Sequence, residues 1–380
     1  MTPKEYLSNS SFCPLPWTAV YVSPDGSINN CCLQPSKPAL GNINQMSISD
    51  AVNGSENRNR KNTMLSGNNL PECKNCYKFD DQSISKNSAR TDYLKKLSSI
   101  PLSTYDQDSN FELSVLDFRF RNTCNLACVY CSPTLSSKWA NEMKSPIKIY
   151  NEDNLSISLE YLNKNLKNLK HVYLAGGEPM MIKENLLLLK RLYEVNPDVS
   201  LRVNTNLTII DNEIFNTIIK FKNIEWIVSV ESTHEQFEYI RYHAVWDEFV
   251  SNLVKLKSLG NKITFNMVWF TLSSFSIFKT IDFLLEMGFD QSEILVTIGN
   301  YPDWIDIRHL HVDKLNKIKL ELDSRMQNIT TNQALYKNYQ NMVDYLKKPF
   351  DRDPDLLYNA LHAIDSRRKL NSKLIFQEIF

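Results

Sequence analysis

Across 380 residues, 43 basic side chains balance 43 acidic ones, and 42% of positions are hydrophobic. A chain of this length buries a large core and is expected to hold about two domains, and its balanced charge leaves no electrostatic footprint for nucleic acid. No apolar run approaches the ~20 residues that cross a bilayer, and residues 1–11 are polar, without the apolar h-region of a secretory signal.

The first elements form around cysteines. The chain holds eight, and in a large protein without a secretory signal they read as metal ligands in a cytoplasmic, reducing setting and not as disulfides. Cys13, Gly26 and Cys31 follow the spacing Cx12Gx4C, and Cys73 with Cys76 makes a CxxC. Residues 17–22 alternate as a strand, Pro24-Asp25-Gly26 is a turn, and residues 27–32 return, a hairpin that brings Cys13 and Cys31 together. Leu40-Gly41-Asn42-Ile43 and an expected helix over 48–53 lead back to the CxxC. Four gathered thiolates suit an all-cysteine zinc ribbon or an iron–sulfur cube, and spacing does not separate the two. Cys32 is the spare thiol, although Cys31 and Cys32 can exchange roles. Residues 83–110, rich in Ser, Lys and Asp, read as a linker with one helix.

The apolar run 113–120 is predicted as a strand, and Cys124-Asn-Leu-Ala-Cys128-Val-Tyr130-Cys131 follows it. Three thiols in so short a loop fill three corners of a small cube and offer no fourth. An iron–sulfur cube takes four cysteines, so one iron keeps an open position, as catalytic metal centres do. Zinc binding and plain burial are the alternatives for three clustered cysteines.

A second strand over 171–175 ends in Gly176-Gly177-Glu178-Pro179. Two adjacent glycines are notable in a chain with nine in all, since backbone without side chains lets a ligand approach closely. Further strands are predicted over 201–203, 224–230, 263–269 and 294–298, with helices over 184–193, 212–220, 246–259 and 275–287. Strand and helix in alternation indicate parallel βαβ units. Residues 312–326, 332–346 and 354–370 have helical periodicity and no catalytic motif, so they are read as a helical cap or packing layer. None of the six histidines has HxxxH or HExxH spacing, and His309-Leu-His311 reads as a solvated loop. Trp269, Tyr301 and Trp304 lie near late strand ends, where aromatics either line a cavity or belong to the core.

The Cx3CxφC loop, with Tyr130 as φ, and the GGEP element at Gly176, Gly177, Glu178 and Pro179 resemble the radical S-adenosylmethionine superfamily. The resemblance implies an α/β fold, a partial (β/α)6 TIM-type barrel, with Cys124, Cys128 and Cys131 holding a catalytic [4Fe–4S] cluster. It places Tyr130 near the adenine and the GGEP residues at the methionine end of S-adenosylmethionine. It suggests Asn206, Ser229, Glu231 and Arg241 as further cofactor contacts, with Arg241 facing the cofactor carboxylate. Glu231 stands where many relatives have Asp. The N-terminal cysteines resemble the twitch module, a shorter relative of SPASM, in which Cys13, Cys31, Cys73 and Cys76 hold an auxiliary [4Fe–4S] cluster. The module precedes the barrel here, whereas in better-known members it follows, and it is expected to pack against the barrel mouth.

The expected organisation is a twitch-like module over 1–85, a linker over 86–110, the barrel over 111–305 and a C-terminal helical extension over 306–380. The resemblance implies an enzyme, of oxidoreductase type, that cleaves S-adenosylmethionine reductively and abstracts hydrogen from a substrate carbon. A net oxidation or cross-link of a peptide, protein or sugar-like small molecule is expected, with flavodoxin or ferredoxin as reductant and no nucleic-acid or membrane partner. The alternatives are a redox-neutral epimerase using Cys32, a two-cluster electron-transfer protein and a zinc-ribbon binding module.

Overall fold

The computed structural model describes residues 9–380 apart from 36–37, 83–87, 102–103, 107–108, 146, 148–151 and 332. Parts of the expected linker, and the expected helix start at 332, therefore lie outside the described residues. So do residues 1–8 of the polar N-terminal stretch.

Among the described residues, nine strands form an open sheet in the order β3-β2-β1-β4-β5-β6-β7-β8-β9, without barrel closure. They are β1 (Ala19–Val22), β2 (Ser27–Asn29), β3 (Gly41–Asn42), β4 (Val115–Phe118), β5 (His171–Leu174), β6 (Ser200–Thr205), β7 (Asn223–Ser229), β8 (Lys262–Trp269) and β9 (Ile294–Ile298). The six core strands β4 to β9 thus fall where apolar, β-branched runs predict them. The β4–β5, β5–β6 and β8–β9 pairs are parallel. Helices Lys183–Val195, Glu213–Ile218, Trp246–Ser258 and Ser276–Glu286 alternate with them, as expected. Strand β8 shows the cause: Ile263, Phe265, Met267 and Trp269 are buried, while the residues between them are partly or fully exposed. Each such side chain taken from water contributes about 1.5–3 kcal/mol, an upper bound because unfolded chains are already partly collapsed.

The N-terminal hairpin joins the core sheet edgewise. β1 pairs antiparallel with β2 and parallel with β4, Ala19 opposite Val115 and Val22 opposite Phe118. Its four residues are apolar on both faces, the composition of a strand covered on each side. Gly26 turns the hairpin at φ +84°, and a Cβ there would meet Asn42 Oδ1 at 2.9 Å. One local expectation fails: Leu15–Thr18 is a helical turn, not the start of a strand. Pro14 already has helical backbone angles, Pro16 sits in the first turn, and Thr18 Oγ1 donates to Pro14 O (2.9 Å). Helix Ile48–Asn53 forms as predicted, capped by the Ser47 side chain.

His309 also departs from expectation. It is buried, not solvated, and its Nδ1 accepts the Asp353 N–H at 3.1 Å, while exposed His311 caps helix Val312–Gln327. Trp269 is core, whereas Tyr301 is exposed.

The chain divides into two compact units. The first comprises Met1–Cys124, Pro133–Asn204 and Asp211–Glu225, and the second Asn125–Ser132, Thr205–Ile210 and Trp226–Phe380. Among the described residues no helix is long and apolar enough to cross a membrane.

Candidate cofactor sites

In the first unit, the apolar residues Phe12, Leu15, Trp17, Met64, Leu70 and Tyr105 form a core that includes Cys13, and Cys31 and Cys73 pack against it. Cys13, Cys31, Cys73 and Cys76 line one concavity, and Cys32 does not line it. Cys13 comes just before the helical turn Leu15–Thr18, Cys31 follows β2, and helix Lys74–Gln82 with the short turn before it supplies Cys73 and Cys76. Donors already point at the sulfurs: Leu33 N–H at Cys31 Sγ (3.4 Å) and Gln34 Nε2 at Cys73 Sγ (3.6 Å). Arg90, held by Asp80 (2.7 Å) and bonded to Phe12 O (3.1 Å), also lines the concavity. Burial pushes the Cys13 and Cys76 thiols up and the Cys73 thiol to about 11, and the Cys31 thiol is raised first by its hydrogen bond to Cys32 and then by burial. Binding a metal group must therefore displace protons. Among the described residues no three Cys, His, Asp or Glu side chains stand close enough to share a single ion. Four cysteines around one concavity are the donor set an iron–sulfur cube takes.

Cys32 does not line the concavity: besides its bond with Cys31, its thiol is within reach of the Asp117 carboxyl on β4. Asp117 is buried and takes a two-pronged bond from Arg119, Nε to Oδ1 and Nη2 to Oδ2, both 3.1 Å. Burial pushes the Asp117 carboxyl up, against the pull of Arg119. The strand register places Tyr21 beside Asp117 and Tyr173 beside Arg202, so that one sheet face carries a polar row. Composition gave no signal of this row, because it arises only when the strands align.

The first unit also holds Cys124 and the GGEP element. Glu178 N–H donates to Thr123 O (2.8 Å), one residue before Cys124. Gly177 lies so close to this backbone that a Cβ would fall 2.1 Å from Thr123 O, and Gly176 has φ +127°. Both glycines are thus required, one by space and one by conformation. The buried Glu178 carboxylate accepts the Met180 N–H (3.3 Å) and shapes the turn Pro179–Met181. Ser137 Oγ accepts the Cys124 N–H (3.1 Å) and anchors the first thiol's backbone.

In the second unit, Tyr130, Glu231 and Arg241 form a buried triangle. Tyr130 Oη donates to Glu231 Oε1 (2.7 Å), Arg241 Nε donates to Glu231 Oε2 (2.8 Å), and Arg241 Nη2 donates to Tyr130 Oη (2.8 Å). Arg241 is only 3% exposed and its fork is occupied by Glu231, so the pairing expected with a cofactor carboxylate is made inside the protein. Its third nitrogen, Nη1, lies 3.9 Å from Cys128 Sγ. Burial pushes the Cys128 thiol up, and Arg241 opposes it. The Tyr130 ring meets Phe270 edge-on at 5.4 Å. Asn206 Nδ2 donates to Asn125 Oδ1 (3.0 Å), and Thr208 Oγ1 links both residues (2.7 Å each), which ties the end of β6 to the cysteine loop. Ser229 is half-buried at the end of β7. The loop backbone is further fixed by Ala127 N–H to Tyr242 O and Val129 N–H to Ile240 O, and Cys131 N–H bonds Cys128 O (2.9 Å).

Sequence reading misses Arg368. It ends helix Pro354–Arg368, is buried, and donates from Nη2 to Ala127 O at 2.8 Å inside the cysteine loop, 241 positions away. No local pattern signals such a contact.

Residues 119–284 match the radical SAM superfamily, and residues 13–77 match SPASM, an iron–sulfur cluster-binding domain. A stretch of 84 residues is 31% identical to GTP 3',8-cyclase of Nautilia profundicola, covering 22% of this chain and 24% of the cyclase, so the chain spans about a quarter of the curated relative it matches. Among solved structures, anSMEcpe with bound AdoMet is similar at 16% identity and TM-score 0.39, over 55% of this chain and 59% of that one. SuiB of Streptococcus suis bound to precursor peptide SuiA is similar at 16% identity and TM-score 0.40, over 71% and 52%. The two matched domains imply [4Fe–4S] clusters and S-adenosylmethionine as cofactors.

Proposed function

We propose that this chain, a member of the radical SAM superfamily with a SPASM module ahead of its core, is an enzyme that oxidises or cross-links a peptide, protein or sugar-like substrate. When bound, the cluster and S-adenosylmethionine supply reductive sulfonium cleavage and a hydrogen-abstracting 5′-deoxyadenosyl group. Cys124, Cys128 and Cys131 are the residues to hold that cluster. Gly176, Gly177, Glu178 and Pro179 seat the amino-acid end of the cofactor, and Asn206 and Ser229, at the ends of β6 and β7, are further candidate contacts to it. Tyr130 is held in one orientation by Glu231 and Arg241, so this pair serves the adenine side by positioning. Cys13, Cys31, Cys73 and Cys76 would hold the auxiliary cluster, which would supply the electron acceptor that a net two-electron oxidation of substrate needs. A flavodoxin or ferredoxin supplies the first electron, in the cytoplasm.

The observation that carries the reading is the contact of the GGEP backbone with Thr123. Gly177 has no room for a Cβ and Glu178 N–H is bonded to Thr123 O, so the element is built against the entrance of the cysteine loop. A second reading, a redox-neutral epimerase, has its own support. Cys32 does not line the four-cysteine concavity and its thiol reaches the Asp117 carboxyl, so it is the thiol this reading would use for hydrogen-atom donation.

Anaerobic reconstitution, dithionite reduction and assay of 5′-deoxyadenosine test the proposal, with Cys124→Ala as the control. The native chain should bind roughly eight irons, as two four-iron cubes require, and cleave the cofactor, and Cys124→Ala should not cleave it. A fully loaded native chain that produces no 5′-deoxyadenosine sinks the reading.

A further inference from the structure

The turn Cys31–Gln34, closed by Gln34 N–H to Cys31 O (3.2 Å), aims donors at two of the four sulfurs around the N-terminal concavity. Leu33 N–H lies 3.4 Å from Cys31 Sγ, and Gln34 Nε2 lies 3.6 Å from Cys73 Sγ, a length that the larger radius of sulfur allows. Gln34 is buried, and its carboxamide has only one workable orientation. Its Oε1 meets Arg60 Nη1 (3.2 Å) and the Asn30 N–H (3.2 Å). Both are donors without acceptor capacity, so the oxygen must face them and the NH2 must face Cys73. The flipped amide would set donor against donor at both contacts and an oxygen against the sulfur.

Arg60 fixes both segments that carry this contact. It lies on helix Ser55–Leu65 with its side chain 1% exposed. It also donates to Asn29 Oδ1 (3.3 Å) and Pro38 O (3.0 Å), which holds the chain on either side of Gln34. Its Nε stands 3.3 Å from Glu72 Oε1, one residue before Cys73, and 3.7 Å from Glu56 Oε1. Two carboxylates thus match the guanidinium charge, and what Arg60 contributes is the orientation of the Gln34 amide.

We infer that Gln34 and Arg60 are positioning residues of the auxiliary cluster: Arg60 holds the Gln34 amide so that Nε2 donates to Cys73 Sγ and keeps the cluster's reduction potential up. With dithionite as the one-electron donor, reduction adds negative charge to the ligand sulfurs and makes them better acceptors. A fixed N–H donor therefore favours the reduced form, with no bond broken and the proton kept on Nε2. A raised potential suits a site proposed to take an electron from substrate. The inference rests on the proposal that Cys73 ligates an iron–sulfur cube.

The test uses the full-length chain, reconstituted anaerobically, with Gln34→Met and Gln34→Glu. The readouts are iron content, the midpoint potential of the paramagnetic signal that does not respond to S-adenosylmethionine, and that signal's coupling to exchangeable protons in light and heavy water. Gln34→Met removes the donor without changing charge. One exchangeable coupling should disappear, and the equilibrium constant for reduction should fall about tenfold, which is 59 mV for one electron, with iron kept. Gln34→Glu keeps the acceptor that Arg60 and Asn30 bind but turns an oxygen to Cys73, so the same coupling should vanish and the potential fall at least as far. An iron-loaded Met variant at the native potential, or with every native coupling, overturns the inference. If the Met variant loses the auxiliary iron, the Glu variant decides. Loading with the coupling gone and the potential lowered tenfold or more supports the inference; a native potential, or loss of that iron as well, overturns it. Cys73→Ser separates failure of the ligand assignment from failure of the inference. Should that variant keep all the native iron, the assignment falls and the inference with it, whereas iron that depends on Cys73 and an unmoved Gln34→Met sink the inference alone.

Discussion

Gly177→Ala isolates the contact on which the catalytic reading depends. The added Cβ would lie 2.1 Å from Thr123 O, 2.6 Å from Thr123 C and 2.8 Å from Asn122 C, all backbone atoms that no rotamer change can move aside. One of the two segments must shift. Overpacking of this kind costs about 1–3 kcal/mol. The Glu178 N–H to Thr123 O bond is stretched in the process, and losing a buried hydrogen bond adds about 1 kcal/mol. The sum, about 2–4 kcal/mol, should appear in denaturant unfolding of the metal-free chain. Gly260→Ala is the matched control: its φ is +70° but nothing lies within 4 Å of the added Cβ, so it reports backbone strain alone, about 1 kcal/mol. Because Thr123 precedes Cys124, the Gly177 variant should also load less iron and bind S-adenosylmethionine at least tenfold more weakly, by isothermal titration. Equal stability and equal cofactor affinity in the two variants would refute the argument.

Further outcomes follow from the same geometry. Glu231→Gln strands the buried Arg241 guanidinium and should cost about 3–5 kcal/mol in denaturant unfolding, whereas the double change Glu231→Gln, Arg241→Leu should cost less than Glu231→Gln alone. Cys31→Ser should remove the auxiliary cluster's iron, while Cys32→Ser should leave the iron count unchanged, since Cys31 lines the concavity and Cys32 does not. Asp306 contributes an acid-sensitive term in the second unit. Burial alone would raise its carboxyl, but hydrogen bonds from Arg308 and Tyr345 Oη bring it below the usual range. A depressed folded-state pKa stabilises above the unfolded value of about 3.9 and is lost as pH falls through the folded value. Native stability should therefore drop steeply below about pH 4, and Asp306→Asn should be less stable at pH 7 with a flatter acid profile, as read by circular dichroism.

Local chemistry made much of this protein legible. Runs such as Ile263 to Trp269 bury every second side chain, and that period is written in the residues themselves, so the six core strands and most helices fall where expected. The turn at Leu15–Thr18 was not legible, because the alternation of its side chains resembles a strand while two prolines bend its backbone. The burial of His309 was hidden for a different reason: its partner Asp353 lies 44 positions away.

The same division runs through the sites. The three-cysteine loop, the CxxC and the paired glycines are short-range patterns whose chemistry depends on residue type and spacing, and the sequence alone established them and the cofactor class they imply. Which of Cys31 and Cys32 faces the shared concavity depended on the direction each side chain takes after β2, and only the folded chain decides it. The commitment of Arg241 to Glu231, and the reach of Arg368 across 241 positions to Ala127, were decided by tertiary packing as well. A buried guanidinium takes whichever acceptor the fold brings within 3 Å, and no spacing rule records a neighbour so distant in the chain.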